Sequence, residues 1–204
     1  MLKITELSQL DLQQTYSYAD YLNWHIKEAI ELIKGKIMLM SPAPNAKHQA
    51  ISMNLSSLLH HYFKHNNCRV YAAPFDVRLY NREQSCLANT EIHTVVQPDL
   101  CVICNPEQID TQGCMGAPEW IIEILSKGNA KRDIHLKYTL YQESGVAEYW
   151  LVYPDMQAIH QFILDDNGLF QLKAMYTNDD MVSPHRFPDL AIDVNEIFDT
   201  WNND

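Results

Sequence analysis

The sequence predicts a mixed α/β or α+β sandwich, and three observations carry that expectation. Two short apolar runs, 99–104 and 120–125, read as central strands buried on both faces. Segments starting at Asn45 and covering 130–143 read as helices. Further runs rich in Val, Ile, Tyr and Phe, bounded by turn residues, read as hairpins and strands. Strands mixed with a few helices bury their apolar faces by stacking in layers.

In chain order, 18–27 reads as a short helix and 31–40 as a β-hairpin with Lys34-Gly35 at its turn. Ser41-Pro42-Ala43-Pro44 stops that strand, because proline cannot donate to a ladder. From Asn45, Ile51, Leu55, Leu58, Leu59 and Tyr62 form one helical stripe, which Asn66-Asn67 ends. Residues 68–80 read as one strand and 81–91 as a polar loop. The two apolar runs flank a turn-rich segment containing Asn105-Pro106 and Pro118. The helix 130–143 stops at Ser144-Gly145, with glycine in its usual terminating position. Residues 148–153 read as a third buried strand. Residues 157–164 and 170–176 pair around Asp165-Asp166-Asn167-Gly168, and 187–198 packs back on the core. Residues 1–17 read as a loosely held arm and 18–204 as a single domain.

A chain of 204 residues can bury about 70% of its unfolded surface, enough for a core without staples. Fifteen basic residues against 26 acidic ones give a formal net charge of −11. A field of that sign repels a polyanion, which argues against non-specific coating of nucleic acid. A small basic groove, or a metal site that neutralises phosphate, stays compatible with it. No stretch approaches the roughly 18 apolar residues of a membrane span, and the N-terminus lacks the apolar segment of a signal peptide. Five cysteines, an odd and sparse set, imply a reduced, cytoplasmic protein.

Glu123 is the most informative residue. It stands in Ile-Ile-Glu-Ile-Leu, inside a buried strand, where a carboxylate is costly unless a metal, a cation or a proton compensates it. The alternatives are a core ion pair or a strand end that just reaches solvent. Asp99 opens the preceding apolar run, 24 residues earlier, which leaves room for one strand, a connection and a neighbouring strand. Two carboxylates on adjacent strands can share Mg²⁺, which takes one or two such ligands and keeps water elsewhere. On the following helix, Asp133 and Lys137 are i,i+4 neighbours, as are Lys137 and Tyr141. By itself that pattern equally suits a surface pair.

These stretches together resemble a known family. They are Glu31-Leu32-Ile33-Lys34-Gly35, Ser41-Pro42 with His48-Gln49, Gln97-Pro98-Asp99, 117–126, Asp133 with Lys137-Tyr138, and 145–152, in that order. The chain is similar to the Uma-two family of "putative restriction endonucleases", within the PD-(D/E)XK nuclease superfamily, over roughly 18–198. The resemblance implies a restriction-endonuclease-like mixed central sheet flanked by helices, with added β-hairpins. It implies that Asp99 and Glu123 bind Mg²⁺, with Mn²⁺ as substitute, and that Glu31 completes the metal shell. The superfamily's usual lysine position, two after the glutamate, is Leu125 here, and Lys137 is the stand-in. Lys127, where a proline is common, competes with Lys137 for that role. Lys34 stands where an aspartate is common, and His48 matches a recurrent histidine of unassigned role.

Other signals read as structure. Cys101 and Cys104 have C-x-x-C spacing without a second pair, and in a strand they point to opposite faces. His61 and His65 have i,i+4 ligand spacing but sit at a solvated helix end. Tyr149 and Trp150 read as core. No G-x-S-x-G elbow and no phosphate loop is present. The expected function is Mg²⁺-dependent hydrolysis of DNA by a homodimer. The alternative is a nuclease fold kept for binding or assembly, and a cysteine-based metal or redox sensor stands third.

Overall fold

The computed structural model describes residues 3–40, 45–80, 88–126 and 131–200, the side chains of 131–133 excepted. Its elements run α1 (Tyr18–Tyr21), β1 (Ile30–Ile33), β2 (Lys36–Leu39), α2 (Ala46–Phe63), β3 (Arg69–Ala72), β4 (Val77–Leu79) and β5 (Thr94–Val96). Then come β6 (Leu100–Ile103), β7 (Ile109–Asp110), β8 (Gly113–Met115), β9 (Trp120–Ile124), α3 (Lys131–Ser144) and β10 (Glu148–Tyr153). The chain finishes with β11 (Ala158–Leu164), β12 (Phe170–Tyr176), β13 (Met181–Val182), β14 (Ile192–Asp193) and α4 (Val194–Phe198).

Among the described residues the strands form two six-stranded sheets and one small pair. The first sheet has the order β2-β1-β5-β4-β8-β7, and the second β12-β11-β10-β9-β6-β3. In the second sheet β9 and β10 run parallel, with α3 as their crossover, while β6 and β11 flank them antiparallel. The mixed-sheet expectation therefore holds.

Both apolar runs hold interior strands, β6 and β9, whose every residue is buried. Alternation along β9 sends Trp120, Ile122 and Ile124 to one face, against Ile51, Leu55, Leu59 and Phe63 of α2 and Ile197 and Phe198 of α4. Ile121 points to the opposite face, into a second cluster with Leu140 and Tyr141 of α3 and Ile33, Val77 and Val96 of the first sheet. Glu123 shares the face of Ile121, so it lies where α3 and the two sheets meet.

Several elements differ from expectation for identifiable reasons. The first helix ends at Tyr21, because the chain leaves it at Trp24 to bridge Ile4, whose carbonyl accepts from the His25 N–H at 2.8 Å. The run 68–80 is two strands in different sheets. Pro74 interrupts it, after which β4 pairs with β5 instead of β6. The turn-rich segment holds an unexpected hairpin, β7–β8, closed around the buried Arg78 guanidinium. Arg78 donates to Asp110 at 2.7 Å and to the Gly113 and Cys114 carbonyls at 3.3 and 3.2 Å. The Lys34-Gly35 turn is as expected, both residues having positive φ, 51° and 77°. A Cβ at Gly35 would stand 2.3 Å from Thr15 Cγ2, so this glycine also admits the segment ahead of α1, where Leu10 and Tyr16 are buried.

One cysteine expectation is corrected. Cys68 and Cys104 lie one step beyond the Arg69–Ile103 pair of the β3–β6 register, and their sulfurs are disulfide-bonded. Antiparallel pairing sets them opposite each other, a relation that spacing alone does not reveal. Cys101 and Cys114 are free and buried, while Cys86 lies outside the described residues. Cys101 and Cys104 pack against different clusters, as the strand period requires. His60, His61 and His65 are exposed, and Tyr149 and Trp150 are core. Among the described residues no helix is long and apolar enough to cross a membrane.

The α2 stripe supports the second sheet. Leu55→Ala, at a fully buried position, is expected to cost about 2–5 kcal/mol in urea unfolding. Met53→Ala, on the exposed face of the same helix, should stay within about 0.5 kcal/mol of the parent.

Candidate active site

The β6–β9 register creates the site. Leu100 faces Ile122, so one further step sets Asp99 opposite Glu123 with both side chains on one face of the sheet. β1 of the first sheet supplies Glu31, on the same face of that strand as Ile33, which packs into the cluster between the sheets. The second turn of α3 lowers Lys137 between the two sheets. Its Nζ lies 3.1 Å from Glu31 Oε1 and 2.9 Å from Glu123 Oε1. α2, capped by the Asn45 side chain on the His48 N–H at 2.9 Å, directs the His48 ring to Asp99, with Nε2 to Oδ1 at 3.3 Å.

Each acid is held by more than one group. Asp99 Oδ2 accepts from the Ile124 N–H at 2.7 Å. Glu123 Oε1 accepts from the Tyr141 hydroxyl at 2.5 Å as well as from Lys137. Glu31 Oε1 accepts from the Gln97 N–H at 2.9 Å. The Gln97 side chain donates in turn to Asp76 at 2.8 Å, and Asp76 accepts from Tyr18 at 2.9 Å. All four charged side chains, with Gln97 and His48, line one cleft of about 160 Å³.

Electrostatics follow from this crowding. Burial pushes the Glu123 carboxyl up to about 7. Lys137 and the Tyr141 hydrogen bond work against the rise, while Asp99 and Glu31 add to it. Lys137 is raised as well. Burial disfavours its charge, but the Glu123 and Glu31 charges outweigh burial and hold the proton well above the usual range. Burial also raises the Tyr141 phenol far above its ordinary value, with help from Glu123, so it serves as a donor. His48 is raised overall. Burial opposes its charge, but the Asp99 hydrogen bond and charge prevail.

The structure thus brings Glu31, His48, Asp99, Glu123 and Lys137 to one place. Lys127 and Ser41-Pro42 lie outside the described residues, as does the Asp133 side chain. Leu125 lines the cleft. Lys34 stays at the surface, paired with Glu143 at 2.7 Å. Glu148, within the last of the resembling stretches, is fully buried elsewhere and accepts from Trp150 and Gln161, each at 2.7 Å. Tyr141 and Gln97 were not singled out for the site. The i,i+4 step from Lys137 was the signal for Tyr141, and the position two before Asp99 the signal for Gln97.

The site suits a hard divalent ion in one respect. Three carboxylates share a cleft in which Lys137 is the one lysine among the described residues, and Glu123 is raised by burial, with Asp99 and Glu31 adding to the rise. Mg²⁺ needs only one or two of them. Among the described residues no group of three His, Cys, Asp or Glu is arranged as a metal cluster. Asp99 and Glu123, opposite each other on adjacent strands, are the pair that fits such an ion.

A family model, Uma2, described as "Putative restriction endonuclease", matches residues 18–195. A crystal structure of "a putative nuclease belonging to DUF820" from Anabaena variabilis ATCC 29413 has a TM-score of 0.69 to this chain. Identity is 20%, over 89% of this chain and 97% of that one, so the likeness shows the fold alone. No curated protein matches.

Removing the lysine strands two buried acids. Lys137→Met is expected to cost about 3–5 kcal/mol at neutral pH. Without Lys137 the folded-state pKa of Glu123 rises further above the ordinary 4.5, so the native state binds its proton more tightly than the unfolded chain. Stability then falls as pH rises from about 4.5 through neutrality. The penalty, measured by urea unfolding across pH, should shrink toward pH 4.5 and below.

Proposed function

The chain belongs to the Uma2 family, and from that premise we propose that it is a Mg²⁺-dependent endonuclease hydrolysing DNA phosphodiester bonds. The observation that supports this reading is the meeting of Asp99, Glu123 and Lys137 at one recessed cleft. Asp99 and Glu123 would hold the ion, as oxygen donors of the kind Mg²⁺ and Mn²⁺ prefer. When bound, the ion supplies charge relief at the phosphoryl oxygens and makes a water more acidic.

The remaining work falls to the chain. Lys137 keeps its proton, so it is no general base. It orients the attacking water and offsets the negative charge that develops on the phosphate. Glu31, itself fixed by the Gln97 N–H, holds Lys137 in place. His48 and the Ile124 N–H each fix one oxygen of Asp99, and Tyr141 fixes Glu123. Such supports around ligating groups set their orientation.

A second reading, a nuclease fold retained for binding or assembly, draws on the net charge of −11 and on the missing three-residue metal cluster among the described residues. Cleavage assays separate the two. DNA should be cut with Mg²⁺ or Mn²⁺ and not with EDTA. Asp99→Asn and Glu123→Gln should each lower the rate at least about a hundredfold, and His48→Ala about tenfold. Cleavage that resists EDTA, or unchanged rates in both carboxylate variants, would contradict the proposal.

A further inference from the structure

Polar and apolar side chains share the cleft. Glu31, His48, Gln97, Asp99, Glu123 and Lys137 are its polar lining. Beside them lie Met38, which the β1–β2 register sets opposite Glu31, and Met40, Leu125, Ile134 and Leu136. None of these five apolar side chains is fully buried. Accessible apolar surface is unfavourable in water, and beside a reacting centre it marks a place for an apolar part of the substrate.

The cleft is poorly suited to a duplex. A duplex presents phosphates and grooves to its binding protein, and affinity comes from lysines and arginines along its backbone. Among the described lining residues Lys137 is the one lysine or arginine, and it is already held between two acids. The reacting groups are also recessed, with side-chain exposures of 9% for Glu123, 19% for Lys137 and 21% for Asp99. A phosphate of an unpaired strand turns into such a recess more readily than one held in a stacked duplex. The exposed base of an unpaired strand has a flat apolar face that packs on apolar side chains.

We propose that the substrate is unpaired DNA, with one base against Met38 and Met40 while the adjoining phosphate reaches the neighbouring carboxylates. This rests on the nuclease reading for the reaction but not for the binding. The base contact supplies the affinity that an acidic protein cannot draw from the backbone, so binding here weakens less with salt than backbone binding does.

The test has a cleavage arm and a binding arm. DNA of one sequence is offered as single strand, as duplex and as duplex with a central unpaired bubble, in Mg²⁺. The single strand and the bubble should be cut at least about tenfold faster than the duplex, with bubble cuts inside the unpaired tract. In anisotropy titrations, Asp99→Asn protein should bind the single strand more tightly than the duplex. Adding Met40→Asp, at a partly exposed position, should weaken that binding about tenfold, with the fold checked by thermal melting. Equal cutting of duplex and single strand overturns the inference and leaves the nuclease reading intact. Selective single-strand binding without any cutting overturns the nuclease reading and supports the inference. Binding of neither DNA overturns both.

Discussion

The site depends on one charge held between layers. Lys137 comes from the helix α3, Glu31 from one sheet and Glu123 from the other, and the ammonium lies within 3.1 Å of both acids. A carboxylate buried on a sheet face is costly unless a counter-charge meets it there. That cost is offset only when all three layers stack in register, so assembling the core and assembling the site are one event. Burial keeps the Glu123 carboxyl raised even with the lysine in contact, and Asp99 and Glu31 add to the rise. Under the proposed reading, a divalent cation would relieve that load.

Rigidity reaches the site from several directions. Tyr18 bonds Asp76, Asp76 bonds Gln97, Gln97 bonds Glu31, and Glu31 shares Lys137 with Glu123. This path runs from the first helix to the central strand of the second sheet through groups each fixed by a partner. Asp99 is secured separately, by α2 through His48 and by its neighbour strand through Ile124. Groups locked in this way keep the acids in position before a substrate arrives, the condition for effective electrostatic catalysis.

Parts of this were legible in the sequence because their signal is local. The apolar runs around Cys101 and Glu123, the Lys34-Gly35 turn and the helix ending at Gly145 each declare themselves within a few residues. The pairing of Asp99 with Glu123 followed from one inference, that the two runs are neighbours. Features that depend on distant partners were hidden. Residues 68–80 read as one strand because β-propensity does not record a change of sheet. The β7–β8 hairpin is organised by Arg78, some thirty residues earlier, and the Cys68–Cys104 bond by strand register. The helix from Tyr18 was overextended, since nothing near it shows that Trp24 will bridge Ile4. The resemblance to a family, more than any spacing, drew Glu31 to the site. The contact between the sheets that makes Glu31 useful has no signature in its own neighbourhood.

In the proposed reading, Asp99 and Glu123 together hold one divalent ion. Calorimetric titration of the intact protein with Mn²⁺ tests it without reference to any substrate. The expected result is saturable binding of about one ion per chain in the millimolar range or tighter, lost in Asp99→Asn while the melting temperature shows the variant still folded. An absence of heat at millimolar Mn²⁺, or the same isotherm after Asp99→Asn, would contradict it.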